Sequence, residues 1–100
     1  MTSKPKFSDK EIELARIAKA LSHPARVYII GKLLDMKGCC TSGEMIGDIP
    51  IARSTLSQHL KELKFAGIIQ GNIEPPMIKY CIDRKNWENA KRLLEELIKK

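Results

Sequence analysis

The chain has 100 residues, and its 18 Lys and Arg against 12 Asp and Glu give a formal net charge of +6. This length predicts one domain with a modest core, and 43% hydrophobic residues are too many for a disordered tail. The apolar runs are far shorter than the roughly 20 residues that cross a bilayer, so we expect no membrane association. Residues 1–10 are lysine-rich without an apolar segment, so we expect no signal peptide and a cytoplasmic protein.

Two helices are predicted in the first third of the chain, after a flexible arm over residues 1–7. Ser8 and Glu11 form a capping box. The apolar stripe of the first helix consists of Leu14, Ile17, Ala18 and Leu21. A second helix is predicted to start at Pro24 and to stop at Gly38. Its stripe consists of Val27, Ile30 and Leu34, widened by Ile29 and Leu33.

The middle of the chain predicts a short strand and two more helices. Cys39 and Cys40 indicate an extended segment, and a second capping box (Thr41–Glu44) opens a short helix to about Gly47. A turn at 48–50 precedes a helix from about Arg53 to Ala66. Leu56, Leu60 and Leu63 form its inward face, and Gly67 ends it.

The last third predicts a β-hairpin followed by a helix. Residues 68–73 and 77–82 are rich in strand-forming residues and flank Glu74-Pro75-Pro76. The stripe of the final helix consists of Trp87, Ala90, Leu94 and Leu97. The predicted fold is mainly α with a small β-hairpin wing, a winged helix-turn-helix that forms a single domain over residues 8–100.

The outward face of helix 53–66 has the chemistry of a major-groove helix. Gln pairs with adenine, Lys with guanine, and Ser or Thr with base edges or phosphate. The predicted DNA-binding residues are Arg53, Ser54, Thr55, Ser57, Gln58, Lys61, Lys64 and Lys79. Any surface helix also shows polar residues outside, so a winged helix used only for protein–protein contact stays an alternative.

The two histidines do not predict a metal or catalytic site. His59 lies about 60° from the leucine stripe, at ~100° per residue, and is expected to pack at the edge of the core and donate one hydrogen bond. His23 is expected at the entry of the second helix, beside Pro24. No second ligand stands at a metal-binding spacing and no catalytic constellation is present, so we expect no enzyme, no metal and no cofactor.

Two segments resemble the ArsR-type family of small winged-helix repressors. They are residues 21–26, which match the family's Leu-x-x-Pro-x-Arg opening of the second helix, and residues 54–69, which match its recognition helix and the exit into the wing. The resemblance covers roughly residues 8–98. It implies a homodimer held by the first and last helices, binding to operator DNA, and repression relieved by a signal.

The sequence departs from the family at its metal sites, its wing and one helix cap. The family's Cys-x-Cys positions fall on Thr41 and Gly43, and residues 84–100 lack the Asp and His of the second site. The wing has Lys79 as its only basic residue, which predicts a weak grip on phosphate. Ala52 replaces the usual Ser before the recognition helix, and Ala is a poor cap.

Two further expectations concern surfaces and thiols. The first and last helices have more apolar surface than one small core covers, so a C2 homodimer is expected to bury Leu14, Ile17, Leu21, Trp87, Leu94 and Leu97. Cys39, Cys40 and Cys81 are expected to be reduced. The strand near Cys39 can pair with the strand of Cys81, so a thiol cluster that binds a soft ion or oxidises to a disulfide stays an alternative to the simpler interpretation of small buried side chains.

Overall fold

The computed structural model describes residues 6–41, 50–72 and 79–100. Four helices lie in these ranges: α1 (Asp9–Ala20), α2 (Pro24–Asp35), α3 (Arg53–Phe65) and α4 (Arg84–Ile98). The strands are β1 (Cys39–Thr41), β2 (Ile69–Asn72) and β3 (Lys79–Ile82). The predicted fold class, mainly helical with a small sheet, is confirmed. The predicted helix over 42–47, the wing tip and residues 1–5 of the arm lie outside the described residues.

The first two helices begin as their sequences predict. Ser8 and Glu11 form the capping box of α1, with reciprocal bonds of 3.1 and 2.9 Å. His23 caps α2 by accepting the Ala25 N–H at its Nδ1 atom, so its predicted place at the helix entry is confirmed. Pro24 fits the first turn because no intrahelical N–H bond is required there.

The buried stripes of α1 and α2 face a different direction from the predicted ones. Ala20 is buried in α1, whereas Ala18 is exposed. In α2 the core contains Ile29, Ile30 and Leu33, and Val27 is 54% exposed. The prediction for Val27 was wrong because α2 has apolar residues on two adjacent faces, and periodicity alone does not show which face meets the core.

The helix α3 packs its leucines into the main core. Leu56, Leu60 and Leu63 are at most 1% exposed, which confirms the predicted inward face. Gly67 follows α3 with a φ of 81°, and the Ile68 N–H donates to the Leu63 carbonyl at 3.0 Å. This is the hydrogen bond that closes a helix with a left-handed glycine cap.

The sheet has the strand order β1-β3-β2, with both pairs antiparallel. Cys39 is opposite Cys81 in one pair, and Gln70 is opposite Cys81 in the other. Gly71 in β2 has a φ of 124°, and an added Cβ would lie 2.5 Å from the Lys79 carbonyl oxygen. The close approach of β2 and β3 at this point therefore requires glycine.

The last helix packs on the first. Asp83 caps α4 through the Asn86 N–H, and Asn86 in turn donates its side-chain amide to the Gly67 carbonyl at 2.9 Å. A second, smaller core lies between α4 and α1 and contains Ala90, Leu93 and Ile17. Trp87 contacts both cores and so connects α4 to the rest of the domain. None of the described helices is long and apolar enough to cross a membrane.

Candidate nucleic-acid interface

The outer face of α3 presents the polar residues that the sequence predicts for DNA contact. Leu56, Leu60 and Leu63 fix the rotation of this helix, so the opposite side is turned to solvent. Ser54, Gln58 and Lys61 lie on that opposite side. Six of the predicted residues are exposed on α3: Arg53, Ser54, Thr55, Gln58, Lys61 and Lys64. Ser57 is half-buried at the flank, and Phe65 is 86% exposed in the last turn.

The first turn of α3 has no side-chain cap. Ala52 occupies the cap position with an extended backbone and makes no capping hydrogen bond, as the sequence predicts. The first turn also has no acidic residue, and Arg53 is its first member. Neither the cap residue nor the first turn therefore supplies a side-chain acceptor for the first N–H groups or a carboxylate at the positive end of the helix dipole.

Lys64 connects the end of α3 to the sheet. Its ammonium group donates a hydrogen bond of 2.8 Å to the Gly71 carbonyl in β2. An ammonium has three donors, so two remain for a phosphate. Lys79 is exposed on β3, opposite Thr41 and Asn72. The structure therefore gives Lys64 a structural contact that the sequence did not reveal.

A pair of histidines lies beneath the first turn of α2. The rings of His23 and His59 are 4.4 Å apart between centroids and tilted by 45°. His59 is 7% exposed, and its Nδ1 atom accepts a hydrogen bond of 3.1 Å from Arg26 Nε. Within the described structure its Nε2 atom is buried without a hydrogen-bond partner.

The position predicted for His59 is confirmed, but the predicted direction of its hydrogen bond was wrong. The arginine Nε–H can only donate, so the imidazole must accept. Burial lowers the pKa of His59, and the nearby His23 and Arg26 act in the same direction, whereas Glu62 acts in the opposite one. The neutral imidazole is thus the form that this site stabilises. The contact with His23 joins residues far apart in the chain, and no spacing rule indicates it.

The residues predicted for a dimer interface differ in exposure. Ile17 is 2% exposed because it packs on Ala90 and Leu93 of the same chain. It therefore has little surface left to contact a second copy. Leu97 is 55% exposed. The other four are partly buried: Leu14, Leu21, Trp87 and Leu94. An ion pair of 2.9 Å between Lys10 and Glu96 joins α1 to α4 beside this surface.

The cysteines correct the expectation of reduced thiols. Cys39 and Cys81 form a disulfide that joins β1 to β3. Cys40 is outside this disulfide and buried on the opposite face, and its thiol donates to the Thr41 carbonyl at 3.1 Å. Residues directly opposite each other in an antiparallel pair have their Cβ atoms close together. The expectation of reduced thiols rested on a reducing compartment and did not consider this pairing.

Comparisons with known proteins agree with this architecture. The arsR family of bacterial regulatory proteins matches residues 23–70, from the start of α2 into β2. A crystal structure of an ArsR family transcriptional regulator superposes with a TM-score of 0.74 and 20% identity, covering 93% of this chain and 94% of that one. An ArsR-like regulator from Rhodococcus sp. RHA1 gives a TM-score of 0.71 and 22% identity, covering 90% and 83%. At these identities the structures show the shared fold.

Two curated relatives are similar in sequence. The HTH-type transcriptional regulator CmtR of Mycobacterium tuberculosis (strain H37Rv) is 33% identical over 73 residues, which are 73% of this chain and 60% of CmtR. The biofilm growth-associated repressor of Agrobacterium fabrum is 34% identical over 93 residues, covering 93% of this chain and 75% of that protein. The segment that matches the family contains α2, α3 and the first residues of the wing. The chain therefore belongs to the ArsR family of bacterial regulatory proteins.

Proposed function

We propose that this chain is a sequence-specific double-stranded DNA-binding repressor that acts as a homodimer, with α3 as the recognition helix in the major groove. The observation that carries the proposal is the orientation of α3. Its leucines face the core, and Ser54, Gln58 and Lys61 face solvent. The family and the names of the two relatives, a transcriptional regulator and a repressor, support the same assignment.

The proposed contacts divide into two groups. Gln58 and Ser54 contact base edges, and Arg53, Lys61 and Lys64 hold phosphates. Lys79 adds a phosphate contact from the wing strand β3. The first turn of α3, where Ala52 makes no side-chain cap bond, favours an anion near Arg53, because helix-terminal N–H groups and the helix dipole both attract negative charge. The function is one of binding, and no catalytic step is part of it.

The homodimer is proposed from the surface formed by α1 and α4. A shallow groove between the two helices has an apolar floor that includes Leu14, Leu93 and Leu97. Near it, Phe7 is 70% and Ile98 76% exposed. A second copy related by a two-fold axis would cover the same patch on both chains.

Selection of bound DNA from a random duplex pool tests the function directly. We expect one enriched motif with two related half-sites, and an affinity that falls steeply with salt because phosphate contacts release counterions. Failure to enrich any motif, together with binding that does not depend on salt, would instead favour a winged helix that contacts only protein.

A further inference from the structure

Arg26, in the first turn of α2, makes hydrogen bonds to two other helices. Its Nε–H donates to His59 Nδ1 on α3 at 3.1 Å, and its Nη1–H donates to the Lys19 carbonyl at the end of α1 at 3.2 Å. Arg26 is half-buried and His59 is almost fully buried. A guanidinium stays protonated at any physiological pH, so the bond to α3 depends on the lone pair of His59 Nδ1.

We propose that the Arg26–His59 contact positions the recognition helix for DNA and is broken when His59 takes up a proton, so that DNA affinity falls in mildly acid solution. The proposal rests on the DNA-binding function proposed above. His59 and Arg26 are positioning residues in this scheme. Neither belongs to the outer face of α3 that is proposed to touch DNA.

The geometry makes a charged His59 unfavourable in the folded state. A protonated imidazole donates from both nitrogens, so Nδ1–H would point at the Nε–H of Arg26. Two positive charges would then meet in a buried site beside a second imidazole. The charged and titratable groups acting on His59 are His23 and Arg26, which oppose its protonation, and Glu62, which favours it. Glu62 is on α3 itself and is half-buried.

His23 holds the same turn of α2 from the preceding residue. Its Nδ1 atom accepts the Ala25 N–H at 3.0 Å and so provides the side-chain cap of the helix. Both histidine lone pairs therefore hold the first turn of α2, one from the preceding turn and one from α3.

The direction of the pH effect distinguishes this proposal from simple electrostatics. In the folded state the pKa of His59 is lowered from its ordinary value of 6.5. The stability that the neutral imidazole contributes is therefore complete above the unfolded-state pKa, and it is lost as the pH falls through the folded-state pKa. Acidification normally strengthens binding to DNA, because histidines gain positive charge. The Arg26–His59 contact predicts weaker binding instead.

The test measures DNA affinity of the full chain from about pH 8 down to the lowest pH at which the protein stays folded, at constant ionic strength, because the pKa of His59 is lowered from that of an ordinary histidine. The duplex is the one selected from the random pool. If DNA binding requires a neutral His59, then below the pKa of His59 the affinity is expected to fall by up to about tenfold per pH unit for each protomer. Affinity that is unchanged or higher in acid would overturn the proposal.

The same substitution at each histidine gives a matched pair of variants. In His59→Asn the amide oxygen can replace the Nδ1 acceptor for Arg26 but does not titrate. The DNA affinity of this variant is therefore expected to fall much less in acid than that of the parent. In His23→Asn the helix cap is retained, because Asn is a preferred cap, and the acid decrease is expected to remain. An acid decrease that persists in His59→Asn would contradict the assignment to His59.

Nuclear magnetic resonance on the free protein separates failure of this proposal from failure of the DNA-binding function. The Arg26 Nε–H resonance is expected to shift and broaden with the same midpoint as the His59 ring signals, and Arg26→Ala is expected to raise the pKa of His59 by removing a positive neighbour. These signals need no DNA. If the Arg26 and His59 signals change together but no duplex binds, the contact exists and the proposed function is wrong. If the His59 signals change with pH and the Arg26 Nε–H signal does not, the proposed Arg26–His59 contact is wrong.

Discussion

Gln58 is the side chain on α3 whose chemistry can distinguish one base pair from another most directly. Its amide can donate to N7 and accept from N6 of adenine at once. Because Gln58 is exposed on the face opposite the leucines, Gln58→Ala removes this pairing without opening the core. We expect a loss of about 1–3 kcal/mol at the selected site and relaxed preference at one position of each half-site, measured by titration against single-base variants.

Gln70 provides the control for this substitution. It is also exposed, but it lies on β2 opposite Cys81. Gln70→Ala removes the same chemical group from the sheet and is expected to leave base preference unchanged. Equal losses in the two variants would mean that α3 does not recognise bases.

Lys61 and Lys64 are expected to separate phosphate contact from structural contact. Both are exposed on α3, and Lys64 also donates to the Gly71 carbonyl of β2. Each Lys→Ala variant is expected to weaken binding to all sequences alike and to lower the salt slope by roughly one per contact, hence two per dimer.

The structural contact predicts a difference between these two variants. Lys64→Ala should also change the amide resonances around Gly71, whereas Lys61→Ala should leave them unaltered. A salt slope that neither variant changes would rule out both lysines as phosphate ligands.

Among the four described helices, α3 alone has no side-chain cap. Ala52 makes no capping bond, and its extended backbone, with φ −65° and ψ 152°, is already that of a cap residue. Ala52→Ser is therefore expected to raise the free energy of unfolding by about 0.5–2 kcal/mol, measured by urea denaturation. Ala52→Val, which offers no acceptor, is the control and should not stabilise. Equal stability of the Ser variant and the parent would show that another group already satisfies this turn.

Elements with both an apolar period and a terminal signal could be predicted from the sequence. The helix α3 has the leucine stripe and Gly67, and α1 has the Ser8–Glu11 box; each begins and ends within a residue or two of its prediction. The face of α2 could not be predicted, because Val27 and Ile29 are equally apolar and only packing decides between them.

The candidate site shows the same division. The exposed residues of α3 follow from its period, so Gln58 and Lys61 lie where the sequence places them. The Arg26–His59 and Lys64–Gly71 bonds are tertiary contacts between elements, and their partners have no fixed spacing in the chain. Pairing of the Cys39 strand with the Cys81 strand was predictable from topology and made a disulfide one alternative, but the sequence does not decide between a disulfide and reduced thiols.

For the molecule as a whole, the disulfide between Cys39 and Cys81 closes a loop that contains α3 and β2. The two residues are 42 positions apart, and a cross-link of that span restricts the unfolded chain by about 3–4 kcal/mol in the chain-entropy account. We expect a thiol reductant, or the double change Cys39→Ser and Cys81→Ser, to lower the denaturation midpoint. The reductant should have no further effect on the double variant. A midpoint that does not respond to reductant would show that the thiols do not bond in solution.

A dimer formed through α1 and α4 would fix the distance between the two copies of α3. If α1 and α4 form a two-fold interface, the two recognition helices should lie about 34–36 Å apart, and the half-sites should be centred about 10–10.5 base pairs apart. Leu97 on α4 is 55% exposed and Val27 on α2 is 54% exposed, so Leu97→Glu and Val27→Glu place the same charge on equally exposed positions of different faces. Sedimentation at micromolar concentration should show a dimer for the parent and for Val27→Glu, and a shift to monomer for Leu97→Glu, because a carboxylate buried without a partner opposes association. A monomeric parent, or equal behaviour of the two variants, would place the interface elsewhere.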